Sequence, residues 1–358
     1  MQHIKLFFAL LACWAITQNS IAADKHGESS DNEFDPMEMI MHHIADAHEW
    51  HVISYTSKSG EEKHITLPLP IILIDDGLHV FMSSAFHHGE KVVQKGDNYY
   101  KLYHEKIYKT DALGTINYGP EHEVLNDKPI DFSITRNVAS MWLSIIIIIW
   151  LFTAAAKRYK GAPAVPKGMQ SFLEPLILFV RDDIAYEQID KHKADKFVPF
   201  LLTLFFFIWI NNLIGLIPFF PGASNLTGNI SLTMVLALIT FLVTNFSGTK
   251  SYWGHIFWMP GVPVPIRLLL SVIEFIGLFT KPFALMIRLL ANITAGHIII
   301  LSLFSLIFVM KSVAIAPVSI LMALMMFMLE LLVAVLQAYI FTLLSALFIG
   351  MAVHDEEH

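Results

Sequence analysis

Glu274, Lys281, Arg288 and Asn292 stand in an otherwise apolar run, with successive gaps of 7, 7 and 4 residues. Those gaps place all four on one face of a helix. His297 follows Arg288 by nine residues, half a turn away in phase, so it points from the opposite side of the same helix. In a second apolar run Glu330 and Gln337 are seven apart and share a face. An ionisable group deep in a membrane helix costs about 2.5–3.5 kcal/mol on insertion scales, so it faces protein or water and has a task. Arg288 is a fixed positive charge, because guanidinium is not deprotonated in proteins. It can hold a passing carboxylate ionised, but it cannot hand a proton on. His297 and Glu330 can exchange protons and together make a relay. Placing that relay away from the fixed cation suits a proton path that must not leak past Arg288. Glu274 and Lys281 lie nearer the start of their run and read first as interfacial anchors, second as participants.

These side chains need two long helices to hold them. Residues 266–309 form an apolar run of 44 residues, about 66 Å as a helix. Residues 317–353 form another nearly as long. A bilayer core needs only about 20 residues. No Gly/Pro/Asn turn interrupts either run, and Pro282 is the only proline inside the first. The expectation is two long, steeply tilted helices joined by an outer turn over Met310–Pro317, with the acidic tail cytoplasmic. His297 lies 13 residues before that turn and Glu330 13 after it, so an antiparallel hairpin sets them at similar depth. Upstream, Val138–Ala156, Phe197–Ile217 and Ile230–Gly248 read as three shorter spans, with an outer turn at Pro221–Asn225 and Pro218 and Pro221 closing the second span. Lys157-Arg158-Tyr159-Lys160 marks its end of the first span as cytoplasmic. Residues 169–188 are amphipathic, with Phe172, Leu176, Phe179, Val180 and Ile184 on one side; such a helix lies on the cytoplasmic membrane surface. The fold class is thus an all-α polytopic membrane protein of about five transmembrane helices plus a cytoplasmic amphipathic helix, preceded by a small mixed exported segment.

Residues 1–23 read as a secretory signal: Lys5, a short apolar core Leu6–Ile16, and small residues at Ala22 and Ala23. Lipidation at Cys13 is the alternative. Residues 24–136 follow as an exported segment carrying 10 Lys+Arg against 20 Asp+Glu, and residues 137–358 form the membrane domain. Within the exported segment Asp35–His51 looks helical, Ile65–Met82 reads as a hairpin around Asp75-Asp76-Gly77, and Asn98–Tyr108 as another strand. Eleven of the 17 histidines lie here. His42, His43, His48 and His51 lack a Cys or a clean HxxxH, so a solvated helix is expected rather than a metal site. Nothing in this segment supplies a partner to Arg288, so it is expected to serve assembly or stability more than proton flux.

Composition excludes other classes. The 358 residues are 55% hydrophobic and only 15% charged, with mean hydropathy +0.55. That argues against a disordered chain, a nucleic-acid binder and an ordinary cytosolic enzyme. The net charge of −7 offers no basic surface to nucleic acid. Residues 197–353 hold only seven charged side chains. No P-loop and no HExxH is present, and no cofactor is expected. A secondary ion-coupled transporter is the alternative reading; it calls for inverted repeats and broken helices, and no repeat is visible.

Residues 282–297, Pro-Phe-Ala-Leu-Met-Ile-Arg-Leu-Leu-Ala-Asn-Ile-Thr-Ala-Gly-His, resemble the signature of subunit a of F-type ATP synthase. Leu336-Gln337-Ala338-Tyr339-Ile340-Phe341 resembles that family's last-helix motif, and Asn212-Leu-Ile-Gly215-Leu-Ile-Pro218 its second-span motif. The likeness covers about residues 130–358 and leaves out the long exported segment. It implies a stator in the plasma (inner) membrane of a bacterium, beside a rotating ring of subunit c, with stator subunit b and the remainder of the ATP synthase as partners. Two half-channels would reach the ring carboxylates, kept apart by Arg288, with Asn292 and Gln337 as its polar neighbours on the proton path and Asn212 as a secondary candidate. The chain itself would make no ATP. Many bacterial members carry an acid at the position of His297 and a histidine at that of Glu330; here the two are exchanged, as in organellar relatives, which keeps one His–acid pair. Whether the ion is H+ or Na+ depends on the ring.

Overall fold

A computed structural model describes residues 45–56, 62–120, 123–158, 168–217, 220–222, 224–259, 262–310, 312 and 315–354. The expected signal at 1–23, Cys13, His42, His43, most of Asp35–His51, Tyr159, Lys160 and Pro218 lie outside the described residues.

The N-terminal part is built of short antiparallel strands. β1 (Glu49–Thr56) pairs with β2 (Glu62–Pro68) through a register shift between His51 and Ile53. This corrects the helix expected up to His51: residues 49–56 are extended. The physical reason is that Val52, Ile53, Tyr55 and Thr56 are strand-favouring residues with a neighbouring strand to pair with. β3 (Pro70–Ile74) and β4 (Leu78–Met82) form the expected hairpin. Asp76 and Gly77 have φ of 51° and 144°, which is where a glycine is needed in that turn. β5 (Val93–Lys95), β6 (Asn98–Tyr103) and β7 (Lys106–Thr110) make a second sheet. The single strand expected over 98–108 is therefore two, turned at His104 and Glu105, both at positive φ. β8 (Ile130–Asp131) joins the free edge of β3.

Alternation puts Ile71 and Leu73 of β3 against Phe86, Val93, Tyr100, Leu102 and Ile107, and these form the small core. Asp75 sits at the rim of that core. It accepts hydrogen bonds from the Tyr100 hydroxyl at 2.9 Å and the Lys109 ammonium at 3.4 Å. Burial works to raise the Asp75 carboxyl, but the bonds from Tyr100 and Lys109 outweigh it and hold the group below its ordinary value. Burial and the same carboxylate push the Tyr100 hydroxyl up to about 12.

The membrane part is helical. α1 (Arg136–Arg158) starts five residues after β8. α2 (Met169–Phe179) continues through a π-turn over Val180–Ala185 to Gln188. Val180, Ile184 and Leu173 are buried against the bundle, while Phe172 stacks on Trp209 yet stays exposed. Leu173 thus takes the place expected of Phe172, because contact with neighbouring helices rather than a flat lipid surface selects the buried side. α3 (Lys191–Ala194) is one turn, N-capped by Asp190.

α4 (Val198–Leu216) is the central post, with Leu201, Phe205, Phe206 and Ile208 fully buried. α5 (Ile230–Phe246) is followed by α6 (Lys250–Phe257), bent by 104°. α7 (Val264–Val309) and α8 (Ala316–Val353) are each one unbroken helix, of 46 and 38 residues. Pro317, expected in the connection between them, already lies in the first turn of α8, where its missing N–H is not needed. At about 69 Å, α7 is more than twice as long as a bilayer core is thick. Among the described residues four helices are long and apolar enough to cross a membrane, or five if α5 and α6 make one span. α8 packs on α4 and α7, and α7 also on α5.

Candidate functional site

His297 on α7 and Glu330 on α8 meet, with Nδ1 of the ring 3.6 Å from Oε1 of the carboxylate. Glu330 is 5% exposed, and both its oxygens are buried without a hydrogen-bond partner among the described residues. Burying a polar group without a hydrogen bond costs free energy, which sets this pair apart from ordinary helix packing. The close approach depends on Gly296: a Cβ added there would run into the Glu330 carboxylate. A cavity of about 440 Å³ opens on the pair. Its walls include Gly215 and Leu216 from the end of α4, Asn225 from the following loop, Phe304 from α7 and Ala323 from α8.

A second cavity, of about 460 Å³, lies toward the other end of α7. Glu274 and Lys281 line it together with Tyr252 and His255 of α6, Gln188, and Met351 of α8. The expected anchors Glu274 and Lys281 are thus brought together in a recess, and the Lys281 ammonium lies 5.8 Å from the Phe348 ring.

Arg288 falls between the two cavities along α7, seven residues after Lys281 and nine before His297, about 10 and 14 Å along the axis. Arg288 and Asn292 are both exposed on the bundle's outer face, and Arg288 has no ion pair among the described residues. The fixed cation and the His–Glu pair are therefore not in one cluster. Gln337 is buried on α8, about 10 Å along the axis from Glu330. Asn212 is buried and ties three elements: its Oδ1 accepts from Thr227 Oγ1 at 2.7 Å, and its Nδ2 donates to Ala334 O at 3.3 Å.

Several polar residues escaped the sequence reading. Asn225 is buried in the wall of the first cavity, and neither amide atom has a hydrogen-bond partner among the described residues. Thr240 and Thr244 of α5 line a recess with Lys281, and their buried hydroxyls have no hydrogen-bond partner among the described residues. The signal for the two threonines was their spacing of four in an apolar span; a lone loop asparagine carries none. Among the described residues no three His, Cys, Asp or Glu side chains converge as for a metal. His48 instead lies 2.9 Å from Asp131.

Fold and site together define a multi-pass membrane protein with a histidine and a carboxylate sunk between helices and a guanidinium exposed on its flank. Residues 138–350 match the ATP synthase A chain family, and the chain belongs to that family. Residues 39–132 match a domain of unknown function (DUF8433). ATP synthase subunit a of Chloroherpeton thalassium is 50% identical over 233 residues, 64% of this chain and 69% of that one. The subunit a of Anaeromyxobacter sp. (strain Fw109-5) is 45% identical over 64% of this chain and 57% of its own. ATP synthase subunit a 2 of Chlorobaculum tepidum is 45% identical over 68% and 71%.

Proposed function

We propose that this chain is the proton-translocating stator subunit a of a bacterial F-type ATP synthase, lying in the inner membrane against a ring of c subunits and held by subunit b. The observation that carries the reading is the placement of Arg288, exposed on α7 between two cavities lined by residues nearer opposite ends of that helix. The cavity of His297 and Glu330 is the outer entry. His297 and Glu330 accept protons from the water it admits and pass them to a ring carboxylate brought alongside by rotation. The cavity of Glu274, Lys281, Tyr252 and His255 is the cytoplasmic exit.

Between them Arg288 faces the ring, with Asn292 one turn further along the same face of α7 and Gln337 of α8 as a further polar residue of the path. A carboxylate arriving there stays ionised, because the guanidinium favours its charged form and cannot itself release a proton. Protons therefore cross only by riding the ring. Residues 24–136 lie outside the cell and the C-terminus inside, consistent with Lys157 and Arg158 at the end of α1.

The test is Arg288→Ala in the assembled complex. Proton-driven ATP synthesis in membranes carrying it should disappear while the complex still assembles. Arg288→Lys should not restore full activity, since a desolvated ammonium can lose its proton. Near-normal synthesis with Arg288→Ala would remove the reading.

A further inference from the structure

The N-terminal strands touch the membrane part where the His297–Glu330 cavity is walled. Trp50 of β1 is 6% exposed, its indole N–H donating to Gly222 O at 3.4 Å and its ring meeting Phe220 edge-on at 5.1 Å. Both partners belong to the loop between α4 and α5. A second tie runs beside it. Asp46 accepts hydrogen bonds from Thr135 Oγ1 at 2.9 Å and from the backbone N–H of Asn137 at 3.1 Å. Asn137 Oδ1 in turn accepts from Ser224 Oγ at 3.1 Å. The next loop residue is Asn225, which lines the cavity and whose amide has no hydrogen-bond partner among the described residues. The loop is seated tightly on α4: a Cβ on Gly215 would stand 2.9 Å from Ser224 O and 3.9 Å from His297 Nε2.

We propose that the N-terminal β-structure is a clamp on this loop, and that Trp50 and Phe220 are positioning residues that hold Asn225 and the cavity wall over His297 and Glu330. The clamp rests on reading that cavity as the proton entry. A wall held from both sides keeps the amide of Asn225 at a fixed distance from the relay, where it can order water between them. Released, the loop takes Asn225 and Ser224 away from His297, and the water order is lost. The sequence gives no reason to connect residues 39–132 with proton entry; the contact at Trp50 does.

The experiment uses the whole complex and reads ATP-driven proton pumping per assembled complex. Trp50→Ala should lower it about 3- to 10-fold, in line with couplings through packed networks. Because Trp50 also belongs to the N-terminal fold, Phe220→Ala is the second variant; it removes the same contact from the exposed side of the loop and should act in the same direction. The double variant should be no worse than the worse single one. Trp50→Phe keeps the ring edge against Phe220 and should retain most of the flux. Wild-type pumping in both alanine variants, or losses that simply multiply in the double, would overturn the clamp. Arg288→Ala run alongside separates the two ideas: if it also pumps normally, the reading of the site fails; if it alone is dead while Trp50→Ala and Phe220→Ala run normally, only the clamp fails.

Discussion

The side chains proposed for the proton path are in different physical conditions. Glu330 is buried and unpartnered except for a ring at 3.6 Å, whereas Arg288 is open to whatever faces the bundle. The exchange His297→Glu with Glu330→His therefore offers a sharp check on pairing. Each single exchange leaves two like groups in contact, two carboxylates or two imidazoles; the double restores one base and one acid. The double should pump faster than the worse single exchange, a coupling read in a double-mutant cycle. Strictly additive losses would show two independent residues. Gly296→Ala tests the same contact by shape. Its methyl group would occupy the space of the Glu330 carboxylate, and forcing an atom into a packed site costs about 1–3 kcal/mol. Pumping should fall, and Glu330→Asp, one methylene shorter, should recover part of that loss in the double variant. No recovery would mean that the glycine serves something other than the carboxylate. Arg288, His297 and Glu330 were legible in the sequence because charge in an apolar run is costly and helical phase is arithmetic. Gly296 and Asn225 were not, because a missing Cβ and an unpaired amide acquire meaning only from what stands opposite them.

At the scale of elements, α7 and α8 were legible as single long helices because nothing in either run can turn the chain, and Pro282 alone does not break α7. The bend of 104° between α5 and α6 was not, since Gly248 and Thr249 look like an ordinary span end followed by a loop. The first three residues of β1 were read as the end of a helix because Met, Glu and Ala before them carry helical propensity, and the partner strand begins only at Glu62. In the N-terminal sheets the hydrogen bonds to Asp75 hold a carboxyl below its ordinary value against the effect of burial. A depressed carboxyl contributes stability above its unfolded pKa, and that contribution is lost as pH falls through the folded value. Hydrogen-exchange protection of β3 and β6 in the purified protein should thus be flat from neutrality down to about pH 4 and drop below it. Asp75→Asn should remove most of that acid-dependent drop. A drop of unchanged size in Asp75→Asn would assign it to other groups.

For the whole molecule the decisive question is whether the two cavities communicate. They are separated along α7 by Lys281 to His297, 16 residues and about 24 Å, most of a bilayer core. A continuous aqueous pore over that distance would let protons run down their gradient without turning a ring. Two blind recesses on opposite sides, with a non-titrating cation between them, would not. Ala323 lines the first recess and is only 3% exposed, so a thiol there meets reagent through the cavity rather than through lipid. Met351 lines the second. Cys13 is the only native cysteine, so Ala323→Cys and Met351→Cys in a Cys13→Ser background each carry a single thiol. With a membrane-impermeant thiol reagent and sealed vesicles of known sidedness, Ala323→Cys should react from the outer side alone and Met351→Cys from the cytoplasmic side alone. Reaction of both from one side would overturn the assignment of entry and exit. Reaction of either thiol from both sides of intact vesicles would mean an open channel, and Arg288 would then have no barrier to guard.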